Sequence, residues 1–294
     1  MTWELSLTGL FIGLLVGVTG MGGGSLMTPI LILLFGFKPT LAVGTDILHG
    51  AVFKTFGAVQ HRRLGTVHAR MTFWMFLGSA PMSLAGVQTA EWLQRRYGDG
   101  VESTSAKVIG AALVLGGLGF LAKTFVNRGV QPSDAPFLLQ QRDRVIALVL
   151  GAVGGYIVGL TSVGSGTFFA LVMLLVFPLT AAKIVGTDIF HAAALLWVAG
   201  FAHLVHGNVD LGAMAWLLLG SVPGILVGSR ITVRLPERSL RVGLATVLLA
   251  SGVRLLEAPG YDVLVPAILI VGAVVAARVE YRRLNGAAAR TEPV

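Results

Sequence analysis

Long runs without a charged side chain alternate along this chain with short, arginine-bearing polar stretches. Residues 5–37, 71–90, 145–182 and 211–229 contain no Asp, Glu, Lys or Arg, and each can supply the ~20 apolar residues that cross a bilayer as a helix. Shorter runs at 108–122, 242–253 and 263–277 extend into flanks whose long side chains can snorkel to the interface. The run 5–37 is too long for one crossing: its 33 residues would make a helix of ~50 Å against a hydrocarbon core of ~30 Å. It should break and turn back. The break is marked by Gly20-Met21-Gly22-Gly23-Gly24-Ser25, and a second by Ser162-Val163-Gly164-Ser165-Gly166-Thr167. Unwound backbone at membrane depth is tolerated only where it is buried or lines a cavity.

The chain repeats itself. At an offset of 142 residues, Val43-Gly44-Thr45-Asp46-Ile47 falls on Val185-Gly186-Thr187-Asp188-Ile189, and His49 falls on His191. Without a gap, the same offset pairs Gly13 with Gly155, Gly22 with Gly164, His61 with His203, Ser79 with Ser221, Pro81 with Pro223 and Gly86 with Gly228. One register held over 74 residues marks a duplication. Each unit reads as a glycine-broken apolar segment, a helix with intramembrane polar residues, and two plainer helices. The expected organisation is a first unit over 1–126, a cytoplasmic linker over 127–142, and a second unit over 143–257. One extra helix with a basic tail follows over 258–294.

Basic residues decide how the units are oriented, because Lys and Arg accumulate on the cytoplasmic side. If each broken segment and its following helix make an odd net number of crossings, the units are inverted. Fifteen Lys and Arg then gather inside, among them Arg62, Arg63, Arg70, Arg230 and Arg234, and four (Arg95, Arg96, Lys107 and Arg254) remain outside. Parallel units would split them 13 to 8. The expected fold is therefore an all-α polytopic membrane protein with two inverted units, its N-terminus outside and its C-terminus inside.

Composition agrees and removes other classes. With 55% hydrophobic and 12% charged residues and a mean hydropathy of +0.82, no water-facing surface could be built from this chain. The net charge of +8 sits in turns, where headgroups and topology account for it, so no nucleic-acid partner is expected. Residues 1–6 carry Glu4 and no basic residue, unlike the start of a cleaved signal peptide, so the first apolar segment is expected to stay. Zero cysteines exclude disulfides, thiolate metal sites and thiol nucleophiles. No metal or cofactor is expected.

Three constellations carry candidate chemistry. Each glycine loop precedes a short apolar half-helix, 26–35 or 168–177, whose N-terminus offers unpaired N–H groups and the positive end of a dipole. Gly22, Gly23, Gly24 and Ser25 in the first loop, and Gly164, Ser165, Gly166 and Thr167 in the second, are the candidate anion-binding residues. Close packing of helices is the alternative use of such glycines. Asp46 with His49, and Asp188 with His191, share a helix face at a spacing of three. Carboxylates at membrane depth cost on the order of 2.5 kcal/mol or more and belong beside a cavity, a partner or a proton path; either proton coupling or orientation of the loops would use them. Lys54 breaks the symmetry, since its counterpart is Leu196; it can pair with Asp46, draw an anion inward or snorkel.

The glycine loop, the Gly-Thr-Asp element after it and their recurrence in the second half resemble the sulfite exporter TauE/SafE family of membrane permeases, over roughly residues 5–280. Gly20, Gly22, Gly23, Gly24 and Pro29 carry the resemblance in unit one, and Gly164, Ser165 and Gly166 in unit two. Unit two departs at Ser162, Ser165 and Leu171, which replace Gly20, Gly23 and Pro29. The resemblance implies a secondary transporter of the bacterial inner membrane, moving sulfite, sulfoacetate or another organosulfonate, mostly outward, with no nucleotide-binding motif to power it. The expected partners are a small anion and membrane lipid, and a homodimer is left open. Two other classes stay open: a passive anion channel, and an intramembrane hydrolase using Ser162 or Ser165 with His191 or His203.

Overall fold

In a computed structural model the described residues are 2–19, 23–97, 100–125, 138–163, 168–231 and 237–288. Both long apolar runs are interrupted. α1 (Thr2–Thr19) gives way to α2 (Gly23–Leu33), and α6 (Gln141–Thr161) to α7 (Phe168–Val176). The polar helices α3 (Pro39–Arg63) and α8 (Ala181–Val205) follow, then α4 (Ala69–Tyr97) and α5 (Gly100–Phe125) in the first half, and α9 (Leu211–Ile231) and α10 (Glu237–Leu255) in the second. α11 (Tyr261–Ala288) closes the chain, and there is no strand among the described residues. Four stretches, Gln141–Thr161, Lys183–Val205, Leu211–Gly228 and Tyr261–Val279, are long and apolar enough to cross a membrane, with shorter apolar stretches in α1, α5 and α10.

Three boundaries differ from those the sequence suggested. Gly23, Gly24 and Ser25 form the first turn of α2 and are not part of an unwound loop; the first N–H groups of a helix have no intrahelical partner in any case, so glycine costs little there. α6 begins at Gln141 because the Asp143 carboxylate accepts a hydrogen bond from the Gln140 N–H (2.9 Å), which fixes the start inside the expected linker. α11 runs on to Ala288 through Arg282 and Arg283, both good helix formers.

The halves exchange helices. α1 packs chiefly on α9 and α4 on α6, so the first helix of each half docks on the third long helix of the other. Gly9 lies against Leu217, Gly13 against Ser221 and Gly228 against Leu14, so α1 and α9 run parallel. The equivalent pair repeats this, with Gly151 against Met75 and Gly155 against Ser79. At Gly13 and Gly155 an added Cβ would strike the facing serine's backbone, so the small residue is what lets the helices approach.

The equivalent helices α3 and α8 meet antiparallel: Gly200 faces Leu48, Gly50 faces Leu196 and Gly57 faces Ile189. α5 and α10 also meet antiparallel, with Gly110 against Gly252 and Gly117 against Leu249. Gly110 and Gly252 occupy equivalent positions, as do Thr55 and Trp197, whose indole N–H donates to the threonine hydroxyl at 3.0 Å. The core gathers around α3 and α8, with Met27, Leu31, Ile47, Phe53, Phe169 and Leu196 among its buried members.

Candidate functional site

The Gly-Thr-Asp element stands in the N-terminal half of α3 and of α8, and each of its residues has a separate task. Gly44 lies against the Asn208 carbonyl and Gly186 against Thr66, contacts that a Cβ would obstruct. The Thr45 hydroxyl accepts a hydrogen bond from the Asp210 N–H and the Thr187 hydroxyl one from the His68 N–H, both at 2.9 Å. Asp210 and His68 in turn stand at the starts of α9 and α4, where Asp210 Oδ1 accepts from the Ala213 N–H (2.9 Å) and His68 Nδ1 from the Met71 N–H (3.2 Å). Each polar helix thus anchors the turn that opens a helix of the other half.

The third residue differs between the halves. Asp46 is buried, and its Oδ2 accepts hydrogen bonds from Thr28 Oγ1 at 2.5 Å and from Ser162 Oγ at 2.8 Å, while Oδ1 has no hydrogen-bond partner among the described residues. One carboxyl group therefore joins α3 to the half-helix α2 and to the residue that ends α6 in the other half. Ser162 closes α6 in the left-handed conformation, φ 61°, which costs a non-glycine residue roughly 1–2 kcal/mol. The bond to Asp46 helps to hold it there. Asp188 is equally buried, but the residues equivalent to Thr28 and Ser162 are Ala170 and Gly20, so the repeat does not reproduce this hydroxyl pair.

The histidines repeat faithfully. His49 Nε2 meets Ser221 Oγ at 2.8 Å and His191 Nε2 meets Ser79 Oγ at 2.9 Å, each bond joining a polar helix to a helix of the same exchanged bundle. Aromatic rings back both, Phe53 against His49 at 4.8 Å between centroids and Phe169 against His191 at 4.6 Å. Lys54 is buried and interacts electrostatically with Asp46, Asp188 and the His49 and His191 rings. It does not snorkel.

Asp46, His49, Lys54, Asp188 and His191 are thus gathered in one buried region. Gly23, Gly24 and Ser25 lie on the first turn of α2. Gly22, Gly164, Ser165, Gly166 and Thr167 lie outside the described residues. Sequence reasoning overlooked Thr28, Ser79 and Ser221 as partners of these groups, and Thr45 and Thr187 as anchors of the turns before α9 and α4; the repeated Ser79 and Ser221 were the available signal. Ser162 donates to Asp46, whereas His191 is bonded to Ser79 and His203 Nε2 to the Gly159 carbonyl at 3.1 Å. Among the described residues Ser162 therefore has no histidine base, which a hydrolase would need, and Ser165 lies outside them. Among the described residues, no group of three His, Cys, Asp or Glu is placed to hold a metal ion.

Apolar helices, a discontinuity in each half and charged groups buried where the halves interlock define a polytopic helical membrane protein of the transporter class. Residues 5–255 match the sulfite exporter TauE/SafE family, and the chain belongs to that family. It is 37% identical over 256 residues to the probable membrane transporter protein YjnA of Bacillus subtilis, covering 87% of this chain and 100% of that protein. The probable membrane transporter protein YdhB of the same organism is 23% identical, covering 83% of this chain and 96% of that protein. No solved structure matches the chain.

Proposed function

We propose that the protein is a secondary transporter that exports a small sulfur oxyanion, sulfite or an organosulfonate such as sulfoacetate, by alternating access. The observation that carries this reading is the Asp46 bridge to Thr28 and Ser162. It holds the half-helix of one unit and the interrupted segment of the other to the same side chain, beside the buried Lys54 cation. In this reading Gly22, Gly23, Gly24 and Ser25 of one unit and Gly164, Ser165, Gly166 and Thr167 of the other bind the anion, because peptide N–H groups where a helix begins attract negative charge. Lys54 supplies the positive charge that a divalent or monovalent oxyanion needs at membrane depth. Asp46, His49, Asp188 and His191 position these parts, and a carboxylate among them couples transport to protons.

Inversion of the two units is part of the proposal. It is supported by the antiparallel meeting of α3 with α8 and of α5 with α10, because an axis perpendicular to spanning helices lies in the membrane plane. It is also supported by the parallel pairs α1/α9 and α4/α6, which agree with five passes per unit and the 15-to-4 distribution of Lys and Arg.

Transport into and out of proteoliposomes tests the function. Radiolabelled sulfite and sulfoacetate should move in a saturable way and compete with each other, and an imposed pH gradient should change the rate. A preference for carboxylate analogues over sulfonates would remove the substrate class, and indifference to the pH gradient would remove proton coupling.

A further inference from the structure

α3 and α8 also enclose a cleft of about 500 Å³, lined by Thr55, Val59, Phe190, Ala193, Ala194 and Trp197, with Arg62 and Arg63 also on its wall. It does not belong to the candidate site. Thr55 follows Asp46 by nine residues and Trp197 follows Asp188 by nine, which at ~100° per residue puts each about 180° from the carboxylate on its own helix. The cleft therefore lies on the outer face of the helix pair, where Val59 and Phe201 are exposed. The Thr55–Trp197 hydrogen bond joins its two walls.

Its polarity is graded. Alanines, valine and aromatic rings form most of the wall, and the two arginines, both exposed, stand where α3 ends. The Arg62 guanidinium rests over the Phe190 ring, 5.6 Å from its centroid, which holds the charge at the cleft. Neither arginine has a carboxylate partner among the described residues, and the repeat places Leu204 and Val205 at the equivalent positions. The duplication thus supplies no second copy of the basic end.

We propose that this cleft binds an anionic phospholipid, one acyl chain lying along the groove and the phosphate held by Arg62 and Arg63. An acyl chain matches the apolar wall, and the exposed guanidinium groups at the end of α3 match a phosphodiester. A second copy of the chain fits less well. Pairing this face about an axis along the membrane normal would bring four arginines to one level with no counter-charge. The inference rests on insertion in a bilayer and is independent of which anion is transported.

The test is native mass spectrometry of the purified full-length protein in detergent, titrated with phosphatidylglycerol and, separately, with phosphatidylcholine of the same chains. Phosphatidylglycerol should bind preferentially. Arg62→Gln should weaken it about fivefold, and the double variant with Arg63→Gln roughly thirtyfold, given the usual contribution of each basic residue near a membrane surface. Ala194→Phe, which fills the groove and keeps both arginines, should also abolish the preference, and Arg95→Gln with Arg96→Gln should leave it intact. Should the double variant fail to fold, Ala194→Phe and the phosphatidylglycerol-dependent thermal shift of the unaltered protein decide the matter. Equal binding of the two lipids, retention of the preference in both cleft variants, displacement by millimolar sulfite, or a change of oligomeric state without loss of lipid would each overturn the proposal.

Discussion

Ser162 offers a sharp test of the Asp46 bridge, because two effects at this residue act in opposite directions. Its hydroxyl donates to Asp46 Oδ2 at 2.8 Å in a buried setting, and loss of such a bond costs about 1.5 kcal/mol. Its backbone is left-handed, φ 61°, where alanine retains the strain and glycine does not. Ser162→Ala should therefore destabilise by about 1.5 kcal/mol, whereas Ser162→Gly should lie about 1 kcal/mol above the alanine variant. The larger deletion should be the milder one. Thr28 and Ser162 also back each other up on the same oxygen, so the pair Thr28→Val and Ser162→Ala strips Oδ2 of both hydroxyl donors and should cost more than the sum of the single changes, by about 1 kcal/mol or more. In an Asp46→Asn background the coupling should shrink, since the acceptor is then neutral and weaker. Equilibrium unfolding in mixed micelles, followed by tryptophan fluorescence, would measure all of these. A glycine variant as unstable as the alanine one, together with additivity within about 0.5 kcal/mol, would refute the bridge.

Further outcomes follow from the same geometry. Lys54→Met should leave two buried carboxylates without their shared cation and cost about 3–5 kcal/mol, with partial recovery in Lys54→Met/Asp188→Asn; thermal unfolding would check the rescue, and a double variant no better than the single would exclude the electrostatic link. Gly13→Leu should separate α1 from Ser221 and destabilise by about 2 kcal/mol or more, and Gly155→Leu should do the same between α6 and Ser79; stability of either variant equal to that of the parent would contradict the exchanged packing. Because the chain has no cysteine, single replacements report topology directly. A membrane-impermeant thiol reagent should label Arg96→Cys in intact cells and Arg63→Cys only after permeabilisation, and labelling of both from outside would rule out the inverted arrangement.

Much of this architecture could be read in the sequence because glycine and charge positions repeat with a fixed offset. The interruptions near Gly20 and Ser162 followed from length alone, since no single helix of 33 residues fits a bilayer. Asp46 and Lys54 stood out as candidates because charge is costly at membrane depth, and both are buried. Their partners did not follow. His49 finds Ser221 and Asp46 finds Ser162 because helices far apart in sequence pack in a given rotation, and hydrophobic patterning does not encode that choice when almost every face is apolar. The exchange of helices between halves was hidden for the same reason: Gly13 and Gly155 reveal that they are packed closely, but not against what. The Gly-Thr-Asp element was visible as a motif, yet its threonine proved to anchor the turn before α4 or α9, a role that only the assembled halves define.

The docking of α1 on α9 has a consequence for how the protein is made. Gly13 leaves the ribosome more than 200 residues ahead of Ser221, the residue it rests on, which at ordinary synthesis rates is a delay of roughly 10–40 s. Throughout that interval the first helix must wait in lipid or beside the insertion machinery with its notched face uncovered. The seating of this first helix is therefore a late event that waits for α9, and a chain cut short before that point would leave its own beginning without a place to settle.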